Sequence, residues 1–152
     1  MSSVVKVKIN NKGLEKELEL INKIGKASVK VGVQADAGVH SESGENLVDI
    51  GIWNEYGTAH IPSRPFIRQT FEDNQQAVAQ YLGRVVSNVA KGDDLVQELS
   101  KLGQWYQDKQ KKTLTSYPWT PNAPSTRRRK KSSKPLVDTS QLVNSIRYKV
   151  EI

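Results

Sequence analysis

Two consecutive runs of helical spacing constrain this chain more than anything else in it. From residue 66 onward the apolar positions Ile67, Phe71, Val78, Leu82, Val85 and Val89 follow helical steps for more than 20 residues, as far as Gly92. A second run opens at Asp93 or Asp94 and carries Leu95, Leu99, Leu102 and Tyr106 on one stripe. Only the tetrapeptide KGDD separates them. So short a join forces the chain straight back on itself, and the spacing predicts two long antiparallel helices.

Period-two patterning supplies the other half of the fold. Val5, Val7 and Ile9 alternate with Lys6 and Lys8; Val29, Val31 and Val33 alternate within SVKVGV; and Ile146, Tyr148, Val150 and Ile152 stand opposite Arg147, Lys149 and Glu151. Three strands, each half apolar and half charged, predict a small, mostly antiparallel sheet covered on one face. The fold class expected is α+β: that sheet packed against the two long helices, with shorter helices around them, in a single domain over residues 1–152.

The shorter helices have their own signals. Leu14, Leu18, Ile21 and Ile24 recur at helical spacing after Asn10 and Asn11, with Gly25 as a stop. Asn46 and Asp49 resemble a capping arrangement ahead of a helix over residues 47–56 that ends at Gly57, after which Pro62 and Pro65 forbid regular helix until Phe66. Asp138 and Gln141 have capping-box spacing before a short helix leading into the last strand. Residues 34–45 read as a mobile loop able to order against a partner, and 116–134, with Pro118, Pro121 and Pro124, as an extended basic loop.

Charge is concentrated. The chain carries +7, and the segment 101–134 holds ten basic residues against the single acid Asp108, so the remainder is slightly acidic. Clustered Arg127, Arg128, Arg129, Lys130, Lys131 and Lys134 suit an acidic partner, either DNA phosphates met without sequence preference or an acidic protein surface. The absence of cysteine excludes disulfides, thiolate catalysis and Cys-based zinc sites. The opening residues lack a signal peptide's apolar run, and no window approaches the ~20 apolar residues of a membrane span. A soluble protein made in a cytoplasm is the expectation.

Catalytic readings find little support. A nucleophile at Ser63 would need His60 as base and Glu55 to orient it, but Ser63 is not on a Gly-x-Ser-x-Gly elbow. A metal site from His40, His60, Glu55 or Asp36 would have two histidines without helical pairing. Asp93 and Asp94 read as charges on a helix N-terminus, and no nucleotide-binding glycine pattern occurs. No cofactor is expected, and the chain reads as a non-enzyme. Trp53 and Trp105 fall on helical stripes; Trp119, between two prolines, reads as a contact residue.

Two stretches carry a resemblance. IWNEYGTAHIPSRPFIRQTF is similar to the Asn-Glu-aromatic-Gly-Thr, Ile-Pro-x-Arg-Pro-Phe-x-Arg signature of small tail-completion and neck proteins of tailed bacteriophages. WTPN, a basic loop and then KPLVDTSQLVNSI resembles the ending of the same group and of phage virion-morphogenesis proteins, except that Ser140 stands where the pattern usually has Gly. The resemblance implies a structural virion protein in the neck or tail, assembled in the host cytoplasm. It implies a sixfold ring around the DNA channel, bordered by connector or adaptor proteins and by the tail terminator or tail tube. A tail terminator is a neighbouring alternative, and a stand-alone, sequence-independent nucleic-acid-binding protein a more distant one. A ring repeats one heterologous contact, for which Glu55, His60, Arg64 and Arg68 are expected to face outward. Asp36, Glu42 and Glu45 of the first loop and Trp119 of the second are the other candidate interface residues.

Overall fold

The structure is a computed structural model and describes residues 10–121, 124, 128 and 140–152. Its elements run α1 (Lys12–Lys26), β1 (Ser28–Val33), α2 (Leu47–Tyr56), α3 (Phe66–Ala90), α4 (Leu95–Ser116), α5 (Gln141–Ser145) and β2 (Ile146–Glu151). The class is α+β, with a small antiparallel sheet and the long helices α3 and α4 packed together. The expected strand at Val5, Val7 and Ile9 lies outside the described residues, as does Asp138.

Strands β1 and β2 pair with Val29 opposite Val150, Val31 opposite Tyr148 and Val33 opposite Ile146. This register sets the apolar side chains on one face. The other face shows Lys30, Lys149 and Glu151, where the Glu151 carboxylate meets Lys30 Nζ at 2.7 Å and Lys149 Nζ at 3.3 Å. Helix α4 lies across the apolar face of both strands. Ile152 falls past the strand end and is exposed, so the alternation stops one residue short of the expectation.

Apolar packing concentrates in two places along the α3–α4 hairpin. Phe66, Leu114, Leu142 and Ile146 form one cluster, flanked by Val31, Val33, Ile50, Trp119 and Val143. Val85, Val89, Leu95 and Leu99 form the other near the hairpin turn, flanked by Leu20, Ile24, Val29, Tyr81 and Val150. Each fully buried large apolar side chain contributes ~1.5–3 kcal/mol. At the turn, Asp94 caps α4 by accepting the Gln97 N–H at 2.9 Å. Asn88 Nδ2 donates to the Glu98 carboxylate at 2.8 Å, tying α3 to α4, and Lys101 Nζ, one turn along α4, donates to it at 2.5 Å.

Two stripes rotate away from the sequence expectation. On α3 the buried positions begin Phe66 and Thr70, while Ile67, Phe71 and Leu82 are exposed, because Thr70 satisfies its hydroxyl on the Phe66 carbonyl at 2.6 Å and can be buried. On α1, Leu20 and Ile24 meet the core, whereas Leu14, Leu18 and Ile21 point to solvent.

Candidate functional site

The segment joining α2 to α3 is a tightly bonded corner, and its construction starts from a backbone problem. A helix leaves its first N–H groups without internal partners, and Pro65 at the N-cap of α3 has no side-chain acceptor to offer. Glu55, in the last turn of α2, supplies what is missing. Its Oε2 accepts the Ile67 N–H at 2.9 Å and its Oε1 the Arg68 N–H at 3.1 Å. The Phe66 N–H goes to the Arg64 carbonyl at 2.8 Å, and Gln69 makes the first bond of the helix to Pro65 at 2.8 Å. A carboxylate at this end also complements the helix dipole.

The rest of the corner is closed in the same manner. Gly57 has φ 77°, and a Cβ there would lie 2.9 Å from the Ser63 nitrogen. Thr58 Oγ1 accepts the His60 and Ile61 N–H groups at 3.2 and 3.0 Å, and the Thr58 N–H returns to the Ile61 carbonyl at 2.8 Å. Ser63 Oγ donates to the Glu55 carbonyl at 2.9 Å. The Arg64 N–H bonds the Asn54 carbonyl at 2.6 Å, while its Nε donates to the Thr120 carbonyl at 3.0 Å and so fastens the chain beyond α4 to the corner. Burial draws the Arg64 guanidinium below its ordinary pKa.

These contacts correct part of the sequence expectation. Glu55 and Arg64, expected to face outward, are both 5 % exposed and act as internal fasteners. Their long side chains reach the backbone N–H groups that open α3 and the Thr120 carbonyl beyond α4. His60 and Arg68 are exposed as expected. Arg68 sits 6.0 Å from the ring centroid of Tyr56, which is 72 % exposed. Ile67 and Phe71 on α3, and Ile52 one turn before Tyr56 on α2, add exposed apolar surface. Sequence reasoning did not single out Tyr56, which is exposed although Trp53, one turn before it, is half-buried.

The remaining candidates are dispersed. Asp36 is bound to its own chain, 2.5 Å from Arg147 Nη2. The rest of the 34–45 segment is held too, by the bridge between Val39 and Asn46, by the Gln141 side chain on Ser41, and by burial of His40. These contacts tie the segment to β2 and to the short helix before it. Glu42 and Glu45 are exposed on it. Trp119 is a correction: it packs on the Phe66 cluster, donates Nε1–H to the Leu114 carbonyl at 3.2 Å and lies 4.3 Å from the Tyr117 ring. An indole can satisfy its one donor on a helix's last carbonyls while burying its rings. Of the basic cluster, Arg128 alone is described; it is exposed, and it and Pro124 have helical rather than extended backbone. Arg127, Arg129, Lys130, Lys131 and Lys134 lie outside the described residues.

Chemically the corner is a fastening. The Ser63 hydroxyl is committed to a carbonyl and the Glu55 carboxylate to two amides, so neither is arranged as a relay with His60. Among the described residues no group of three or more His, Asp or Glu could hold a metal ion, and no helix is long and apolar enough to cross a membrane. Comparison with protein-family models, with curated proteins and with solved structures found no match.

Proposed function

We propose that this chain is a structural, non-catalytic virion protein that completes a phage tail or joins it to the head connector, as a subunit of a ring around the DNA channel. One observation carries the reading. Of the motif residues between Asn54 and Arg68, Asn54, Glu55, Gly57, Thr58, Arg64 and Phe66 each have an internal task in the corner, whereas Tyr56 and Arg68 are held together on its outside. A motif whose buried half builds a rigid mount and whose exposed half is a Tyr–Arg pair beside Phe71 suits recognition of another protein. Tyr and Arg are the side chains that most often dominate such contacts, and rigid presentation limits the entropy lost on binding.

The neighbours in this reading are connector or adaptor proteins on one side and the tail terminator or tail tube on the other, with DNA in the channel meeting the basic cluster. The deciding experiment images tailed particles carrying this chain's gene, with the protein labelled, alongside particles made after the gene is deleted. The label is expected at the neck, with deletion leaving filled heads and separate tails. Normal particles without the protein would overturn the reading. Salt-sensitive, tight DNA binding by the isolated monomer would favour the stand-alone nucleic-acid-binding alternative instead.

A further inference from the structure

The outer edge of β1 is a surface whose chemistry is narrowly defined. In an antiparallel pair, residues that bond across the ladder alternate with residues whose N–H and C=O groups point out of it. Two contacts fix the phase. Tyr148, opposite Val31, gives its N–H to Gln107 Oε1 at 2.9 Å and so directs it away from β1. Gln34 Nε2 donates to the Gly32 carbonyl at 3.4 Å and to that of the opposite residue, Arg147, at 3.0 Å, which places both oxygens within the ladder. Lys30 and Gly32 therefore bond to β2, and Val29, Val31 and Val33 turn their backbone groups outward. The edge of β2 has Gln107 at its centre, whereas no described residue bonds the outward groups of β1, and no third strand joins the sheet among the described residues.

A row of unpaired backbone groups binds an extended strand. Register decides which strand fits. Laid antiparallel against a second copy of itself and centred on Val31, β1 sets Val31 opposite Val31 and Val29 opposite Val33, so each outward N–H meets an outward C=O. The half-buried valines of both copies share the face that α4 covers. On the other face Lys30 comes opposite Gly32, which at φ 153° has no side chain to set against it, and Ser28 comes opposite Gln34. Centring on Lys30 instead would put Lys30 against Lys30, and like charges directly opposite are destabilising. Centring on Gly32 would leave Val29 opposite Ala35, in the turn beyond the strand.

We propose that the outer edge of β1 pairs with the same edge of a second copy of this chain, giving a continuous sheet in the order β2-β1-β1-β2 with its two-fold axis at Val31. A two-fold contact closes on two copies and is not the repeated contact of a ring. It is a property of the free chain and does not rest on the virion reading.

Amide exchange of the full chain, followed by NMR in dilute and in concentrated solution, reads this edge directly. The Lys30 and Gly32 amides are expected to be protected in both samples, and those of Val29, Val31 and Val33 only in the concentrated one, where sedimentation gives twice the monomer mass. Register is read by mixing Ser28→Cys with Gln34→Cys in a chain that has no cysteine of its own. Opposite residues that exchange no backbone bonds stand ~4.5 Å apart at Cα, within disulfide reach, so a mixed disulfide dimer is expected. Ser28→Cys alone, its two copies ~20 Å apart along the strands, is expected not to self-link. Val31→Pro removes an outward N–H and no ladder bond, and is expected to abolish the dimer. Protection of the three valine amides in the dilute monomer would overturn the proposal by showing that the chain covers this edge itself. Free exchange of the same amides at both concentrations would overturn it in favour of an unlike protein strand. Concentration-dependent protection without the mixed disulfide would overturn the register centred on Val31.

Discussion

Gly103 of α4 lies directly beneath Tyr148 of β2, so close that a Cβ on residue 103 would stand 2.5 Å from Tyr148 Cδ2 and 2.7 Å from Cγ. The neighbouring turn of α4 adds Gln107 Oε1, which accepts the Tyr148 N–H at 2.9 Å. Helix and strand are therefore in register at this point through one missing side chain and one side-chain-to-backbone bond. Gly103→Ala gains helix propensity of about 1 kcal/mol, but it must push the tyrosine ring and the strand away from the helix, and overpacking costs about 1–3 kcal/mol. The net expectation is destabilisation. A urea midpoint at or above that of the parent protein would show that the strand yields freely.

Glu55 offers a different kind of test, because its carboxylate answers two amides at once. In Glu55→Gln one oxygen is replaced by an NH2 group that faces an N–H donor, and in Glu55→Ala both amides of a buried corner lose their acceptor. A loss of ~1–3 kcal/mol is expected for the alanine variant and a smaller one for glutamine, measured as a fall in denaturant midpoint at unchanged slope.

Ser140 is the only non-glycine residue with positive φ among the described residues, at φ 59°. The left-handed region costs a residue with a Cβ roughly 1 kcal/mol or more, and glycine avoids that strain while losing more chain entropy on folding. Ser140→Gly is expected to leave stability unchanged or raise it by up to about 1 kcal/mol, and Ser140→Val to lower it. Thermal unfolding of the two variants in parallel checks the ordering.

Acid acts on the hairpin turn through Glu98. Hydrogen bonding by Lys101 and then by Asn88 holds the Glu98 carboxyl below its ordinary value of 4.5. The folded form thus binds its proton less readily than the unfolded chain does. Its contribution to stability is fully present above pH ~4.5 and is lost as pH falls through the folded-state pKa. Glu151 is shifted the same way by Lys30 and then Lys149, but on the solvent face of the sheet. Added salt should weaken the Glu151 part and spare more of the Glu98 part. Urea midpoints measured from pH ~7 to ~3 are expected to fall less steeply below pH ~4.5 in Glu98→Gln. An unchanged slope would remove Glu98 from the account.

Much of the architecture was legible because it rests on local rules. Asn46, Asp94, Gly57 and the prolines at 62 and 65 mark helix ends through capping, positive φ and the missing N–H, and the residues flanking them fold as read: α2 over Leu47–Tyr56, α3 from Phe66 and α4 after Asp94. Alternation in SVKVGV and IRYKVE likewise fixed which side chains the sheet turns inward.

Which of two equally plausible faces is buried was a tertiary decision. On α1 the stripe of Leu14, Leu18 and Ile21 is as apolar as the pair Leu20 and Ile24, and only the position of the second core cluster selects the latter. The polar residues of the corner show the same limit more sharply. Glu55 and Arg68 are equally charged and equally motif-like in sequence, but the first is drawn inside by two amide groups a dozen residues away, and the second is left outside against Tyr56. Sequence by itself determined where helices and strands begin, end and turn their apolar residues, since those follow from each residue's own backbone preferences. The tertiary structure decided which polar groups became internal fasteners, because that depends on which buried donors and acceptors the packing of distant elements leaves without partners.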